Sequence, residues 1–259
     1  MNAAATKYLG YHSTARPMAA MDVEFPHGIT TGLHSHPRAQ LLYAIEGVMI
    51  VRAESGYWVV PPNRAVWLAA REDHDVRMCG RVKIRTLYVD ASVSDGLPGE
   101  SCVMTVSPLL RELLVAAVRI PRDYDPESRD GRLLRLLLDE MKEHEAVPLH
   151  LPMPDNAKLR LVCERMMDNP DDTATARQWG ERIGVTAKTL QRMFMRETGC
   201  SFAQWRRQAR LFHSLEMLAQ GEKIVSVAYE SGYASQSAFT AMFRKNFGMT
   251  PSSFFAAGE

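Results

Sequence analysis

A pattern written twice near the end of the chain limits its fold more than any other feature. The first copy is WGERIGVTAKTLQRMFMRETGCSFAQW at 179–205, and the second is AYESGYASQSAFTAMFRKNFGMTPSSFF at 228–255. A shift of 49 positions lays Leu190 on Phe239, Met193 on Met242, Phe194 on Phe243, Gly199 on Gly248 and Trp205 on Phe254. Upstream the shift is 48, so Gly184 meets Gly232 and the second turn holds one extra residue. A slip confined to a turn is what a duplicated structural unit tolerates. Each copy reads as a short helix, a Gly-containing turn and a longer helix, the layout of a helix-turn-helix.

In each longer helix the apolar positions define a buried face, Leu190, Met193 and Phe194 in one and Phe239, Met242 and Phe243 in the other. Lys188, Gln191, Arg192 and Arg196 are then left outward or flanking in the first, and Gln236, Ser237, Thr240, Ala241, Arg244 and Lys245 in the second. Gln suits adenine and Arg suits guanine through paired hydrogen bonds, while Lys more often meets phosphate. Charge agrees. The chain as a whole is at +1, but 152–259 carries 4 Lys and 10 Arg against 4 Asp and 7 Glu. Within 186–213 stand Lys188, Arg192, Arg196, Arg206, Arg207 and Arg210 against Glu197 alone, the sign expected where phosphates are neutralised.

Capping chemistry sets the helices of this region. Asp155 is the expected N-cap of KLRLVCERMM, and Thr186 and Ser235 cap the longer repeat helices. Ser201 and Gln204 have capping-box spacing for a helix running to about Ala219, and Thr250-Pro251 starts a last helix. A central helix of about 19 residues spans about 28 Å at 1.5 Å per residue. Successive major grooves on one DNA face lie about 34 Å apart, so such a strut suits two readers docking together.

Earlier in the chain the pattern alternates. Expected strands are AMDVEF (20–25), QLLYAI (40–45), VMIVRA (48–53), YWVV (57–60), AVWL (65–68), HDVRM (74–78) and VKIRTLYV (82–89). Turn chemistry separates them at His27-Gly28, Glu46-Gly47, Ser55-Gly56, Pro61-Pro62-Asn63 and Cys79-Gly80. Short strands at this spacing predict a small antiparallel barrel or sandwich. The period then becomes helical, with Leu109, Leu110, Leu113, Leu114, Ala117 and Val118, then Leu133, Leu134, Leu137, Leu138 and Met141. Such stripes serve either an intramolecular core or a dimer seam. AVPLHLPMPDN (146–156), with three prolines, reads as an interdomain linker.

The expected fold class is therefore α+β and multidomain: an N-terminal antiparallel β-barrel over 1–104, helical linker segments over 105–150 as candidate dimerisation helices, and an all-α domain with two helix-turn-helix units over 151–259. Four scattered cysteines without a CxxC read as reduced thiols. MNAAATKYLGYHS lacks the basic and apolar regions of a signal peptide, and no apolar run approaches 18–20 residues. A cytoplasmic chain with no membrane partner is expected.

The C-terminal segment resembles the DNA-binding domain of the AraC/XylS transcription regulators, on GVTAKTLQRMFMRETGCSFAQWRRQARL (184–211) and ESGYASQSAFTAMFRKNFGMTP (230–251). The resemblance implies a seven-helix domain with recognition helices in consecutive major grooves. It places contacts on Lys188, Gln191 and Arg192, then on Gln236, Ser237, Thr240 and Arg244. Ala241 departs from members that carry Arg, which makes the first helix the expected main reader.

Gly32-Leu-His34-Ser-His36-Pro-Arg-Ala-Gln40 with Gly47 resembles the first motif of cupin barrels, where two histidines and a carboxylate on a strand hold a divalent metal. Ala69-Ala-Arg71-Glu-Asp-His74 resembles the second motif, but has Ala for Pro and Arg for Gly, and Gln40 stands for the usual Glu. Two readings follow for His34, His36, Gln40 and His74: a divalent-metal site, or a metal-free set that hydrogen-bonds a ligand or its own members. Tyr43 and Trp67 join them as expected lining of a small-molecule effector pocket, or serve as core aromatics. RAQLLYAIEGVM (38–49) and VVPPNRAVWL (59–68) extend the likeness to cupin-type AraC regulators, including those controlling neighbouring efflux-transporter genes.

The expected function is an effector-responsive activator or repressor of transcription, not an enzyme, acting on an efflux-transporter or catabolic gene. Its expected partners are a double-stranded DNA operator, a small molecule, RNA polymerase and a second copy of itself. No cofactor is required. The alternatives are a metal-dependent cupin enzyme fused to a DNA-binding domain, and an architectural DNA-bending protein.

Overall fold

Alternation in the first hundred residues becomes antiparallel strands: β1 (Met18–Phe25), β2 (Ala39–Ala53), β3 (Gly56–Val60), β4 (Arg64–Leu68), β5 (His74–Val89) and β6 (Cys102–Thr105), with short β7 (Ala146–Val147) and β8 (His150–Pro152) later. The computed structural model describes residues 11, 14–54, 56–62, 64–143, 146–147, 149–247 and 250–256, with the backbone alone at 146–147 and 254–256. The expected match of Gly199 to Gly248 and the side chain of Phe254 lie outside these residues, as do Ser55, Asn63 and most of the N-terminal stretch. The chain divides into two units, Met1–Ala53 with Trp58–His150, and Glu54–Tyr57 with Leu151–Glu259.

In the first unit the sheet runs β1-β5-β2-β4-β6-β7, with β3 on β2. Segments expected as separate strands are fused, 40–45 with 48–53 in β2 and 74–78 with 82–89 in β5. Gly47 and Gly80 make bends inside the ladder rather than reversals. Both have left-handed φ, 79° and 76°, and the β2–β5 register shifts between Ala44 and Glu46 and between Glu46 and Val48. A Cβ on Gly47 would collide with the carbonyl of Arg81, so glycine is required at this bend. In a straight strand His74 and Tyr88 would lie about 46 Å apart at 3.3 Å per residue. Instead the His36 ring stands 5.1 Å from that of His74 and 5.3 Å from that of Tyr88. The ribbon curls over, and its two halves face one cavity.

Strand parity then sorts the side chains. Ala39, Leu41 and Tyr43 of β2 join Leu87 and Val89 of β5 in a core cluster, while Gln40, Leu42, Ile84, Thr86 and Tyr88 face the cavity. The cluster is closed by α1 (Pro108–Ala117) and α2 (Arg129–Lys142), started by Ser107 and Ser128 side chains that accept from the backbone of Leu110 and Gly131. Leu110, Leu113, Leu114, Leu134, Leu137, Leu138 and Met141 are buried there. Apart from Leu109, which is exposed, the helical stripes thus serve the core of the first unit, and α1 and α2 are part of it rather than a linker. The strands β6 and β7 escape the sequence reading because four and two residues carry too little alternation.

The second unit is helical: α3 (Ala157–Asp168), α4 (Ala176–Ile183), α5 (Ala187–Thr198), α6 (Phe202–Ala219), α7 (Ile224–Glu230), α8 (Gln236–Phe247) and α9 (Pro251–Ala256). Asn156, not Asp155, caps α3: its side chain accepts from Leu159 N–H. Both residue types cap well, and the choice falls to the one three positions before that free donor. Ser201 and Gln204 form the expected capping box of α6, whose 18 residues span about 27 Å. Trp205, at its start, is fully buried and donates through Nε1 to the Pro152 carbonyl at 2.7 Å.

The duplication holds in three dimensions. Gly184 and Gly232 both have φ of 76°. Val185 N–H reaches back to Gly180 O, and Tyr233 N–H to Ala228 O, at 2.8 and 2.9 Å. These are the same six-to-one helix closure. The cap that follows comes one residue later in the second copy, Ser235 against Thr186, so the extra residue is Ala234, exposed in the turn. Leu190, Phe194, Phe239 and Phe243 are wholly buried, each contributing roughly 1.5–3 kcal/mol of apolar burial. Met193 and Met242 are only half-buried, so the inner face is narrower than the apolar pattern suggests.

Candidate functional site

The outer faces of α5 and α8 carry the polar residues that the repeat left unburied. Thr186 Oγ1 accepts from Thr189 N–H at 3.2 Å, fixing the start of α5, and Lys188, Gln191 and Arg192 follow, all exposed. Ser235 Oγ accepts from Ala238 N–H at the start of α8. Gln236, Ser237, Thr240, Ala241, Arg244 and Lys245 line one shallow concavity with Thr250. Of these Thr240 is half-buried and the others named in α8 are exposed.

The basic cluster of 186–213 is not one surface. Arg206 donates to the Ala174 carbonyl at 2.8 Å and lies 5.0 Å over the Phe202 ring. Arg210 donates to Pro170 O at 2.7 Å and Asp172 O at 3.2 Å. Both brace the α3–α4 loop, whose carbonyls lack helical partners and require donors. Burial, then the neighbouring Arg210, holds the Arg206 guanidinium below its usual range. Arg196, at the C-terminal turn of α5, bonds Glu197 at 2.6 Å, and that carboxylate also accepts from Asn156 N–H. A carbonyl acceptor leaves no mark in a sequence, so the charge count alone could not separate braces from outward cations.

In the first unit, His34, His36 and His74 converge, with ring centroids 4.4, 5.1 and 6.2 Å apart. The His34–His36 pair lies in the segment before β2, not on a strand, and His34 is held by an isolated bridge to His74. Nδ1 of His34, His36 and His74 lies 2.8, 2.5 and 2.8 Å from the carbonyls of Gly32, Arg38 and Glu72. A carbonyl only accepts, so each Nδ1 carries the proton. Burial lowers the His36 pKa, and burial takes that of His74 to about 4, so both are neutral near pH 7 with Nε2 as the lone-pair nitrogen.

That tautomer fixes the Gln40 amide. The structure sets Gln40 Oε1 2.8 Å from His36 Nε2, with Gln40 Nε2 donating to Thr86 Oγ1 at 2.9 Å; a neutral His36 protonated on Nδ1 requires the amide turned over, NH2 toward His36 and oxygen toward the Thr86 hydroxyl. The amide that stands where the cupin motif has a carboxylate is hydrogen-bonded on both sides. The set offers three imidazoles and one amide and contains no carboxylate. Among the described residues no three His, Cys, Asp or Glu side chains are grouped to hold a metal.

His34, His74, Gln40 and Thr86 line a cavity of ≈ 50 Å³ with Met21, Val23, Phe25, Leu42, Val76, Met78 and Ile84 among its apolar walls. Tyr43 and Trp67, expected in that lining, are on the opposite face. Trp67 is the register partner of Leu41 and Ala65 of Tyr43, so all four take the core side of the sheet. Trp67 Nε1 donates to Pro98 O, and burial raises the Tyr43 pKa. The second cupin-like motif is better preserved in backbone than in sequence. Arg71, standing for glycine, keeps φ at 67° and donates from its N–H to His36 O at 2.8 Å.

A duplicated helix-turn-helix unit in one chain with a cavity-bearing antiparallel sheet defines a DNA-binding transcription regulator with a ligand-binding domain. Residues 179–257 match the family model of a helix-turn-helix domain and 25–149 that of an AraC-like ligand binding domain. The chain is 32% identical over 228 residues to the HTH-type transcriptional regulator NimR of Escherichia coli (strain K12), covering 88% of this chain and 83% of that one. It is 39% identical over 103 residues to the HTH-type transcriptional regulator RipA of Corynebacterium glutamicum, covering 40% and 31%. The structure of ToxT from Vibrio cholerae covers 93% of this chain and 98% of that one at a TM-score of 0.40 and 11% identity. The chain belongs to the AraC family of transcriptional regulators. It is a regulator and not an enzyme, which removes the cupin-enzyme alternative.

Proposed function

We propose that α5 and α8 read consecutive major grooves of an operator, with α5 as the main reader. Lys188, Gln191 and Arg192 supply its phosphate and base contacts, while Gln236, Ser237, Thr240, Arg244 and Lys245 supply positioning contacts from α8. Arg196, paired with Glu197 at the far end of α5, stands at the edge of that set as a phosphate neighbour. The observation that carries the reading is the duplication itself: matched glycine turns and buried positions leave two polar faces in equivalent places. In this reading the first unit's cavity, with His34, His36, Gln40 and His74, takes the effector without a metal. Control of an efflux-transporter or catabolic gene, action as activator or repressor through RNA polymerase, a cytoplasmic location and a homodimer complete the reading. Among the described residues no helix is long and apolar enough to cross a membrane.

Genome-wide mapping of bound fragments, followed by footprinting of one of them, tests it. Two protected grooves about 10–10.5 base pairs apart are expected. Protection of a single groove, or no sequence preference, would remove it.

A further inference from the structure

We infer that the cavity of the first unit is built for a small uncharged molecule that presents an N–H or O–H group to Nε2 of His74 and lays an apolar body against Met21, Val23, Leu42, Val76 and Met78. This rests on the reading of the cavity as the effector site and adds the chemistry of its ligand.

The starting point is an unpartnered atom. His74 is 0% exposed, its ring lines the cavity, and its Nε2 has no hydrogen-bond partner. Its Nδ1 proton is committed to Glu72 O at 2.8 Å. A buried acceptor left unmet is costly, and the ligand that removes this cost must donate. Two neighbouring polar groups are already engaged. Gln40 is engaged by His36 and Thr86, and Thr31 Oγ1 accepts from Val76 N–H.

Charge decides the rest. None of the described residues lining the cavity bears a carboxylate, ammonium or guanidinium. An anion would meet a lone pair and no cation; a cation would be buried without a counter-charge. The volume of ≈ 50 Å³ exceeds the roughly 10–15 Å³ that one water needs, so a molecule of several heavy atoms reaching the mouth at His34 suits it.

Calorimetric titration of the full chain near pH 7.5 with phenol, anisole, benzoate, benzylammonium and zinc chloride tests this. Phenol is expected to bind about tenfold more tightly than anisole, the value of one buried hydrogen bond, and both ions more weakly than phenol. His74→Leu should bring phenol down to the level of anisole. His74→Gln, whose amide oxygen can accept, should restore part of the difference and guards against a variant that fails to fold. Equal binding of anisole and phenol, preference for either ion, binding by none of the aromatics, or one zinc per chain lost in His74→Gln would each overturn the inference. The effector-site reading fails separately, when a probe that occupies the cavity leaves affinity for a mapped operator fragment unchanged.

Discussion

Arg210 occupies the space that a side chain on Gly232 would need: a Cβ there would stand 2.7 Å from the guanidinium carbon. Arg210 cannot easily yield, because Pro170 O and Asp172 O hold it. The same arginine thus braces the α3–α4 loop and packs against the turn of the second helix-turn-helix. Gly184, the counterpart in the first repeat, has the same φ and no neighbour within 4 Å of a Cβ.

Two glycines of equal conformation should therefore respond unequally. Gly184→Ala is expected to cost about 1 kcal/mol, the left-handed penalty alone. Gly232→Ala should cost about 2–3 kcal/mol, since it also dislodges charge-assisted hydrogen bonds. Urea denaturation of both variants, and of Gly232→Ala combined with Arg210→Ala, reads this. The double variant should fall short of the sum of its parts, and full additivity would refute the contact.

Operator binding should separate readers from positioners. Arg192→Ala is expected to lose about 1–3 kcal/mol on a mapped operator and to relax preference at one base pair. Lys245→Ala should weaken specific and random DNA alike and reduce the salt slope by about one. Equal loss on both DNAs for Arg192→Ala would end its base-reading role.

Acid should destabilise the first unit before carboxylates titrate. The folded pKa of His74 is about 4 against 6.5 for the ordinary imidazole, and that of His36 is lowered in the same direction. Between those values the unfolded chain binds protons that the folded chain does not, so stability falls as pH drops from about 6.5 to about 4. For His74 this amounts to about 3 kcal/mol. Unfolding titrations at pH 7.5, 6 and 5 should show the loss, and His74→Gln should flatten it. An unchanged slope in that variant would assign the effect elsewhere.

Arg71 holds a backbone conformation that glycine adopts freely. Arg71→Gly is expected to raise stability by about 1 kcal/mol in thermal or urea unfolding, while keeping the N–H bond to His36 O. A loss of stability would show that the arginine side chain contributes more than its backbone strain costs.

The repeat arithmetic, the caps at Thr186, Ser201 and Ser235, and the alternation of β1 to β5 were legible without coordinates. Each is local, set by a side chain reaching its own backbone or by helix and strand periodicity. Legibility ended where partners come from distant segments. Tyr43 and Trp67 could be read as pocket or core, because the curl at Gly47 and Gly80 decides which face encloses a cavity. Arg206 and Arg210 counted as phosphate-facing charge until the α3–α4 carbonyls claimed them.

By itself, the sequence determined that this chain carries two helix-turn-helix units and an antiparallel sheet, since periodicity and capping act within a few residues. Only the tertiary structure decided which cations face outward, which aromatics are core, and that the three imidazoles converge with His74 Nε2 unmet. Those outcomes depend on hydrogen-bond acceptors and curvature contributed by residues far apart in the chain.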